Sequence, residues 1–161
     1  GVTNLKIEKF DFCKLIRDLV DSFEIKMKQK GIEITYDFGN ENSIFVTADN
    51  FRITQVMSNL VVNSLNYGVE NGTTEIVTKN LSKEKILVRV IDNGQGISEE
   101  DLPRVFERFY RVDKTRNRQE GGSGLGLAIV KHIVEAHNEI VYVESSLNVG
   151  SEFSFTLTKS D

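Results

Sequence analysis

At 161 residues the chain is long enough for one domain with its own hydrophobic core and too short for two comfortable ones. Its hydrophobic share of 39% and charged share of 27% are ordinary for a globular protein, and no apolar run approaches the roughly 20 residues a membrane span needs. A formal charge of −4 gives no general drive toward nucleic acid or an anionic membrane, and a single cysteine, Cys13, without a signal-peptide pattern fits a reducing, intracellular setting.

Phe12, Leu15, Ile16, Leu19 and Phe23 recur at helical spacing and predict one amphipathic helix from about Phe12 to Lys28, with Cys13 in its packing. The alternation from Ile32 to Phe38 predicts a strand, followed by turn residues Gly39 to Asn42 and a second short strand around Ile44 to Val46. From Asp49, a fitting N-cap, the pattern becomes helical again through Ile53, Val56, Met57, Leu60 and Val61 and ends near Tyr67 and Gly68. Strands at about Glu75 to Lys79 and Ile86 to Ile91 flank a polar hairpin loop. After a long charged, glycine-rich stretch, Leu125, Ile129, Ile133 and Ala136 mark a third helix, with strands near Ile140 to Glu144 and Glu152 to Leu157. This order predicts an α+β sandwich with three helices on one face of a mixed, mostly antiparallel sheet.

Three features carry chemistry. Arg52, Gln55, Asn59, Asn63 and Asn66 share one face of the second helix. Asparagine is a poor helix former, and a merely solvated face would favour Glu and Lys; a row of carboxamide oxygens suits Mg²⁺ and a polyphosphate. Asp92, Gly94 and Gly96 follow an apolar strand, where a carboxylate emerges at the sheet rim and glycines let the chain turn beside a ligand, although Asp-Asn-Gly is also an ordinary turn. Gly121 to Leu127 leads into the third helix, so that free amides and the helix dipole favour phosphate, or else cap the helix. Neither glycine segment has the Gly-Lys-Ser/Thr ending of a P-loop, and the glycines of the second do not follow a strand as a dinucleotide fingerprint does. Between them Arg104, Arg108, Arg111, Lys114, Arg116 and Arg118 make a basic loop suited to phosphate or an acidic partner.

Taken in order, these elements resemble the GHKL (Bergerat) ATP-binding fold, and specifically the catalytic domain of sensor histidine kinases, from about Phe10 to Leu157. The N box matches Asp49 to Tyr67, the G1 box Asp92 to Gly96, the F box Leu102 to Arg111 and the G2 box Gly122 to Leu127, with Gly150 to Phe153 as a closing glycine motif. The resemblance implies ATP and Mg²⁺ as cofactors, Asn63 as the Mg²⁺ ligand, Asn59 as a phosphate-side partner, Tyr67 stacking on adenine and Asp92 accepting from adenine N6. It implies that Arg111, and after it Arg108, reaches the γ-phosphate. It counts Asn66, Gly94, Gly96, Ile97, Gly122, Ser123, Gly124, Leu125, Gly126 and Leu127 among the nucleotide-binding positions. Residues 1–9 become the remnant of a linker from the dimerisation and phosphotransfer helices, 10–161 the catalytic domain, and about 93–123 an ATP lid anchored by Phe106 and Phe109 to the domain or to the helix bundle.

Two positions depart from the pattern. Asn66 stands where these kinases carry Lys, Arg or His, and Asn138-Glu139 replaces a pair of glycines after the third helix. Asn59 also stands where the gyrase, mismatch-repair and chaperone relatives place a water-activating glutamate, which favours phosphoryl transfer over hydrolysis. His132 and His137 lack a phosphoacceptor context and are read as structural. The implied partners are an absent helix bundle bearing the histidine and a cognate response regulator, with no direct nucleic acid. The domain alone is expected to be monomeric, on the cytoplasmic side of a homodimeric, membrane-anchored bacterial sensor. A degenerate, non-catalytic nucleotide-binding module is the alternative, kept open by Asn66.

Overall fold

The computed structural model describes residues 4–110 and 125–161. In chain order the elements are β1 (Ile7–Asp11), α1 (Phe12–Ser22), α2 (Glu24–Lys30), β2 (Glu33–Asp37), β3 (Phe45–Asp49), α3 (Asn50–Tyr67), β4 (Thr73–Asn80), β5 (Lys85–Asp92), a 3-10 turn at Leu102–Arg104, α4 (Gly126–Ala136), β6 (Val141–Ser146) and β7 (Gly150–Lys159). The strands form one sheet in the order β1-β3-β7-β5-β4-β2, with β6 also pairing β7; β2 and β4 run parallel and every other pair is antiparallel. The mixed α+β sandwich expected from the sequence is the one observed.

Alternation builds the core. Ile86, Val88 and Val90 of β5 lie opposite Leu157, Phe155 and Phe153 of β7, and these buried pairs face Val56, Met57 and Leu60 of α3 and Val130 and Ile133 of α4. Phe12 and Ile16 of α1 join the same cluster. Each such side chain contributes about 1.5–3 kcal/mol by leaving water. Cys13 is fully buried in it, and burial, reinforced by the nearby Asp11 charge, pushes its thiol pKa up to about 11, so it is inert packing.

The first helical stretch differs from the expectation of one helix to Lys28. It breaks at Phe23, whose backbone (φ −96, ψ 5) leaves the helical well while its ring turns into the core; α2 then runs to Gly31 in the left-handed conformation. The described residues therefore contain four α-helices where three were expected. Strand β1 was not foreseen in the sequence, because Ile7 to Lys9 are all exposed on a sheet edge and show no buried face.

The ends of α3 and α4 are tied together. Asp49 caps α3 by accepting the Arg52 N–H at 3.0 Å and also accepts the Lys6 N–H at 2.9 Å. Burial works to raise its pKa, but these donated amides overcome it and hold the carboxyl below its usual range. Its contribution to stability is thus present at neutral pH and lost as pH falls through that lowered pKa. The Asp49 N–H donates to His137 Nε2 at 3.1 Å, while His137 Nδ1 bonds the Ile133 carbonyl at 2.8 Å, the structural role expected for this histidine.

At the departure after α4, the third helix of the sequence-based expectation, Asn138 takes a left-handed φ of 58, as a helix end needs. Glu139 then turns onto the sheet face opposite the helices and is only 8% exposed. It accepts from Lys85 Nζ at 2.6 Å, Thr156 Oγ1 at 2.8 Å and Thr158 Oγ1 at 2.8 Å. Replacing Glu139 by Ala leaves Lys85 Nζ its 2.8 Å bond to Thr158 Oγ1 but takes the acceptor from the buried Thr156 hydroxyl and breaks the ion pair, and we expect a loss of about 2 kcal/mol in urea unfolding. An unchanged midpoint would contradict the view that this cluster staples α4 to the sheet.

Candidate functional site

The C-terminal half of α3 carries Asn59, Asn63, Asn66 and Tyr67, all half-buried, on the helix that crosses the sheet beside α4. The Asn59 Nδ2 donates to the carbonyl of Gly126 at 3.3 Å, so the carboxamide stripe adjoins the first turn of α4, where Leu125, Gly126 and Leu127 are also half-buried. Among the described residues, an ideal Cβ at Gly126 would meet nothing within 4 Å. Packing against the described residues therefore does not require glycine there, whereas a ligand approaching the helix N-terminus would.

Asp92 closes the other side. Its Oδ1 accepts the Gly94 N–H at 2.9 Å and the Ser151 N–H at 3.3 Å; its Oδ2 accepts the Ser64 hydroxyl at 3.3 Å. Burial raises the pKa of this carboxyl, and the three hydrogen bonds, which favour the charged form, only partly offset it. A partly dehydrated carboxylate at a strand end is the perturbed group expected of a binding cleft.

The turn after Asp92 is wedged between neighbours. A Cβ at Gly94 would come 2.4 Å from the Tyr67 carbonyl oxygen, and the Gln95 N–H donates to that same oxygen at 3.1 Å. Gly96 has φ +74, and a Cβ there would lie 2.1 Å from the Ser146 oxygen. Gly96→Ala combines left-handed strain with a backbone clash, so we expect it to cost about 2–3 kcal/mol in thermal unfolding. A wild-type melting temperature would show that the turn tolerates displacement. Ile97 is buried next, its N–H bonded to Ser145 Oγ at 2.7 Å.

Beyond it, the 3-10 turn sets Phe106 edge-on against Phe153, with ring centroids 6.0 Å apart, while Phe109 remains 69% exposed. Phe106 is thus an anchor to the domain itself. Arg108 is exposed and, among the described residues, makes no hydrogen bond or ion pair with the α3 asparagines. Arg111, Gly122, Ser123 and Gly124, with most of the basic loop, lie outside the described residues. The sequence reading missed Ser64, Thr74 and Ser151, which hold Asp92; a serine beside Asn63 in the helix and a threonine in a strand carry no local pattern that would mark them.

A helix bearing carboxamides, a buried carboxylate on the adjoining strand end and glycine turns between them define a nucleotide-binding α+β sandwich. Residues 48–161 match the family of histidine kinase-, DNA gyrase B- and HSP90-like ATPases, and the chain belongs to that family as a catalytic ATP-binding domain of the sensor histidine kinase type. It is 39% identical over 140 residues to the sensor histidine kinase WalK of Bacillus subtilis, covering 86% of this chain and 23% of that protein. A WalK of Staphylococcus saprophyticus is 37% identical over 93% of this chain and 24% of its own length. The chain thus spans about a quarter of these relatives. Among solved structures, the catalytic domain of histidine kinase ThkA superposes with a TM-score of 0.82 at 29% identity, covering 96% of this chain and 97% of that one. Full-length ShkA in complex with AMPPNP gives 0.85 at 26% identity, over 99% of this chain and 33% of that one.

Proposed function

We propose that this domain binds Mg·ATP between α3, Asp92 and the start of α4 and transfers the γ-phosphoryl to a histidine on a separate helical domain. The observation that carries the transfer reading is Asn59. A carboxamide cannot take a proton from water, and here its Nδ2 is engaged with the Gly126 carbonyl, so the site lacks a general base at the helical turn before Asn63. The nucleophile must then be supplied from outside: an imidazole nitrogen attacks phosphorus, the bond to the β-phosphate oxygen breaks, ADP leaves and the ring proton passes to solvent.

The residues present fit the cofactors. No group of three His, Cys, Asp or Glu side chains among the described residues could cage a metal, whereas one neutral carboxamide oxygen suits Mg²⁺, which keeps water and phosphate oxygens in its shell. Mg²⁺, when bound, offsets the charge of the phosphates. In this reading Asn63 is its protein ligand, Asn59 and Asn66 line the phosphate path, Tyr67 covers the base and Asp92 accepts from its amino group. The amides from Gly122 to Leu127 hold the polyphosphate, and Arg111, with Arg108, meets the γ-phosphate. Gly94, Gly96 and Ile97 shape the base end.

The partners follow from the same chemistry: a dimeric helix bundle bearing the histidine, with Phe109 exposed toward it, and a response regulator. ThkA has been solved in complex with its response regulator protein TrrA, at a TM-score of 0.77 and 28% identity over 97% of this chain. No described helix is long and apolar enough to cross a membrane. We place this domain on the cytoplasmic side of an anchored sensor.

The test mixes the chain with the helix-bundle fragment of the same protein and γ-labelled ATP. Acid-labile, alkali-stable label on the fragment is expected. Tight ATP binding without transfer would instead make this a nucleotide-sensing module, the reading that Asn66 in place of a cation favours.

A further inference from the structure

Ser64 of α3 and Thr74 of β4 are 2% and 0% exposed, and a hydroxyl buried to that degree needs a partner. Their oxygens are 2.7 Å apart, and Ser64 Oγ donates to Asp92 Oδ2 at 3.3 Å. A hydroxyl has one proton. With that of Ser64 given to the carboxylate, the short contact is made by the proton of Thr74, so the chain of donation runs from Thr74 through Ser64 to Asp92. Thr74 is also the register partner of Asp92 across the β4–β5 ladder, and β4 is paired on both sides. The carboxylate is therefore positioned by a helix and by a fixed strand at once. Of its roughly four lone-pair sites, the Gly94 and Ser151 amides fill two on Oδ1 and Ser64 one on Oδ2. Among the described residues, one acceptor site on Oδ2 is left unfilled.

We propose that the Ser64–Thr74 hydroxyl pair sets base selectivity: it holds Asp92 Oδ2 as an acceptor, so that the site prefers a purine with an amino group at C6. A keto oxygen there would meet acceptor against acceptor, and a bare C6–H would leave the carboxylate unpaired. This rests on the adenine-nucleotide reading above. Ser64 and Thr74 do not touch the nucleotide; they are positioning residues that act through Asp92, and each donated bond in the relay polarises the next.

Calorimetry with ATP, GTP and purine riboside triphosphate, which lacks the 6-amino group, tests this on the wild-type chain and on Ser64→Ala, Ser64→Thr, Thr74→Val, Asp92→Asn and the Ser64→Ala/Asp92→Asn double variant. We expect Ser64→Ala to weaken ATP about tenfold and to leave purine riboside triphosphate within about twofold, with Ser64→Thr restoring the preference. Thr74→Val, nearly isosteric, keeps Ser64 in place and is expected to lower the preference about threefold; it carries the test if Ser64→Ala does not fold. In the Asp92→Asn background, Ser64→Ala should add nothing, since the two act as one unit. Equal weakening of both triphosphates, or additive effects of the two substitutions, overturns the proposal and leaves adenine binding standing. A wild-type chain that binds no triphosphate, or binds ATP and purine riboside triphosphate equally, overturns the adenine reading and this inference with it.

Discussion

Asn63→Ala is expected to abolish the Mg²⁺ dependence of ATP binding and to lower phosphoryl transfer by about a thousandfold, the several kcal/mol that a correctly placed cation supplies to developing phosphate charge. The chain should remain folded, and slightly more stable. Asn63 is half-buried and its side chain makes no hydrogen bond among the described residues, and alanine is the better helix former by about 0.5–0.7 kcal/mol. Activity and stability therefore move in opposite directions, which separates loss of a ligand from damage to α3. The measurement is ATP affinity with Mg²⁺ and with a chelator, beside a thermal melt. If the variant keeps the wild-type difference between those two affinities, Asn63 is not the cation's protein ligand. The same argument explains why a carboxamide stripe persists on a helix at all: Asn59, Asn63 and Asn66 each cost helix propensity, and a purely structural face would hold better formers.

How much of this was legible in the sequence depended on whether a periodic pattern or a special residue carried the information. Helix α3 could be read from its Asp49 cap to Tyr67, because the apolar positions facing the sheet repeat at helical spacing and the carboxamides occupy the remaining face. Asp92 was legible because glycines that must avoid the Tyr67 and Ser146 carbonyls follow it at close spacing. The break at Phe23 was not, since Phe23 stays in phase with the apolar stripe and only the backbone departs. Strand β1 exposes both faces for most of its length and so shows no alternation. The Ser64–Thr74–Asp92 relay joins three elements through single hydroxyls, and the Glu139 cluster joins residues up to 73 positions apart, so neither leaves a local pattern. In each case the legible part was what a single element needs, and the illegible part was what two or three elements share.

Asp92→Asn is expected to weaken ATP binding about a hundredfold at neutral pH while raising the melting temperature. The relay makes the substitution structurally tolerable. The asparagine oxygen can take the Gly94 and Ser151 amides, its nitrogen can donate to Ser64, and the Ser64–Thr74 bond can reverse, because either oxygen can be the donor. What then faces the cleft is an N–H, set against the amino group of adenine. The rise in stability follows from the direction of the Asp92 shift. Burial raises its folded-state pKa above the unfolded value, so the protonated form is favoured in the folded chain. Its contribution to stability is fully present below the unfolded pKa and is lost as pH rises through the folded one, leaving at neutral pH a charged group that the fold pays to keep. Asparagine removes that cost. By the same sign, wild-type ATP affinity should fall as pH drops through the raised pKa of Asp92, and the variant should lose that acid-side decline. Calorimetric titrations from neutral pH downward, paired with melting curves at each pH, measure both effects. An Asp92→Asn protein that melts lower than wild type at neutral pH, or retains the acid-side decline, would show that this carboxylate is held for the fold and not for the base.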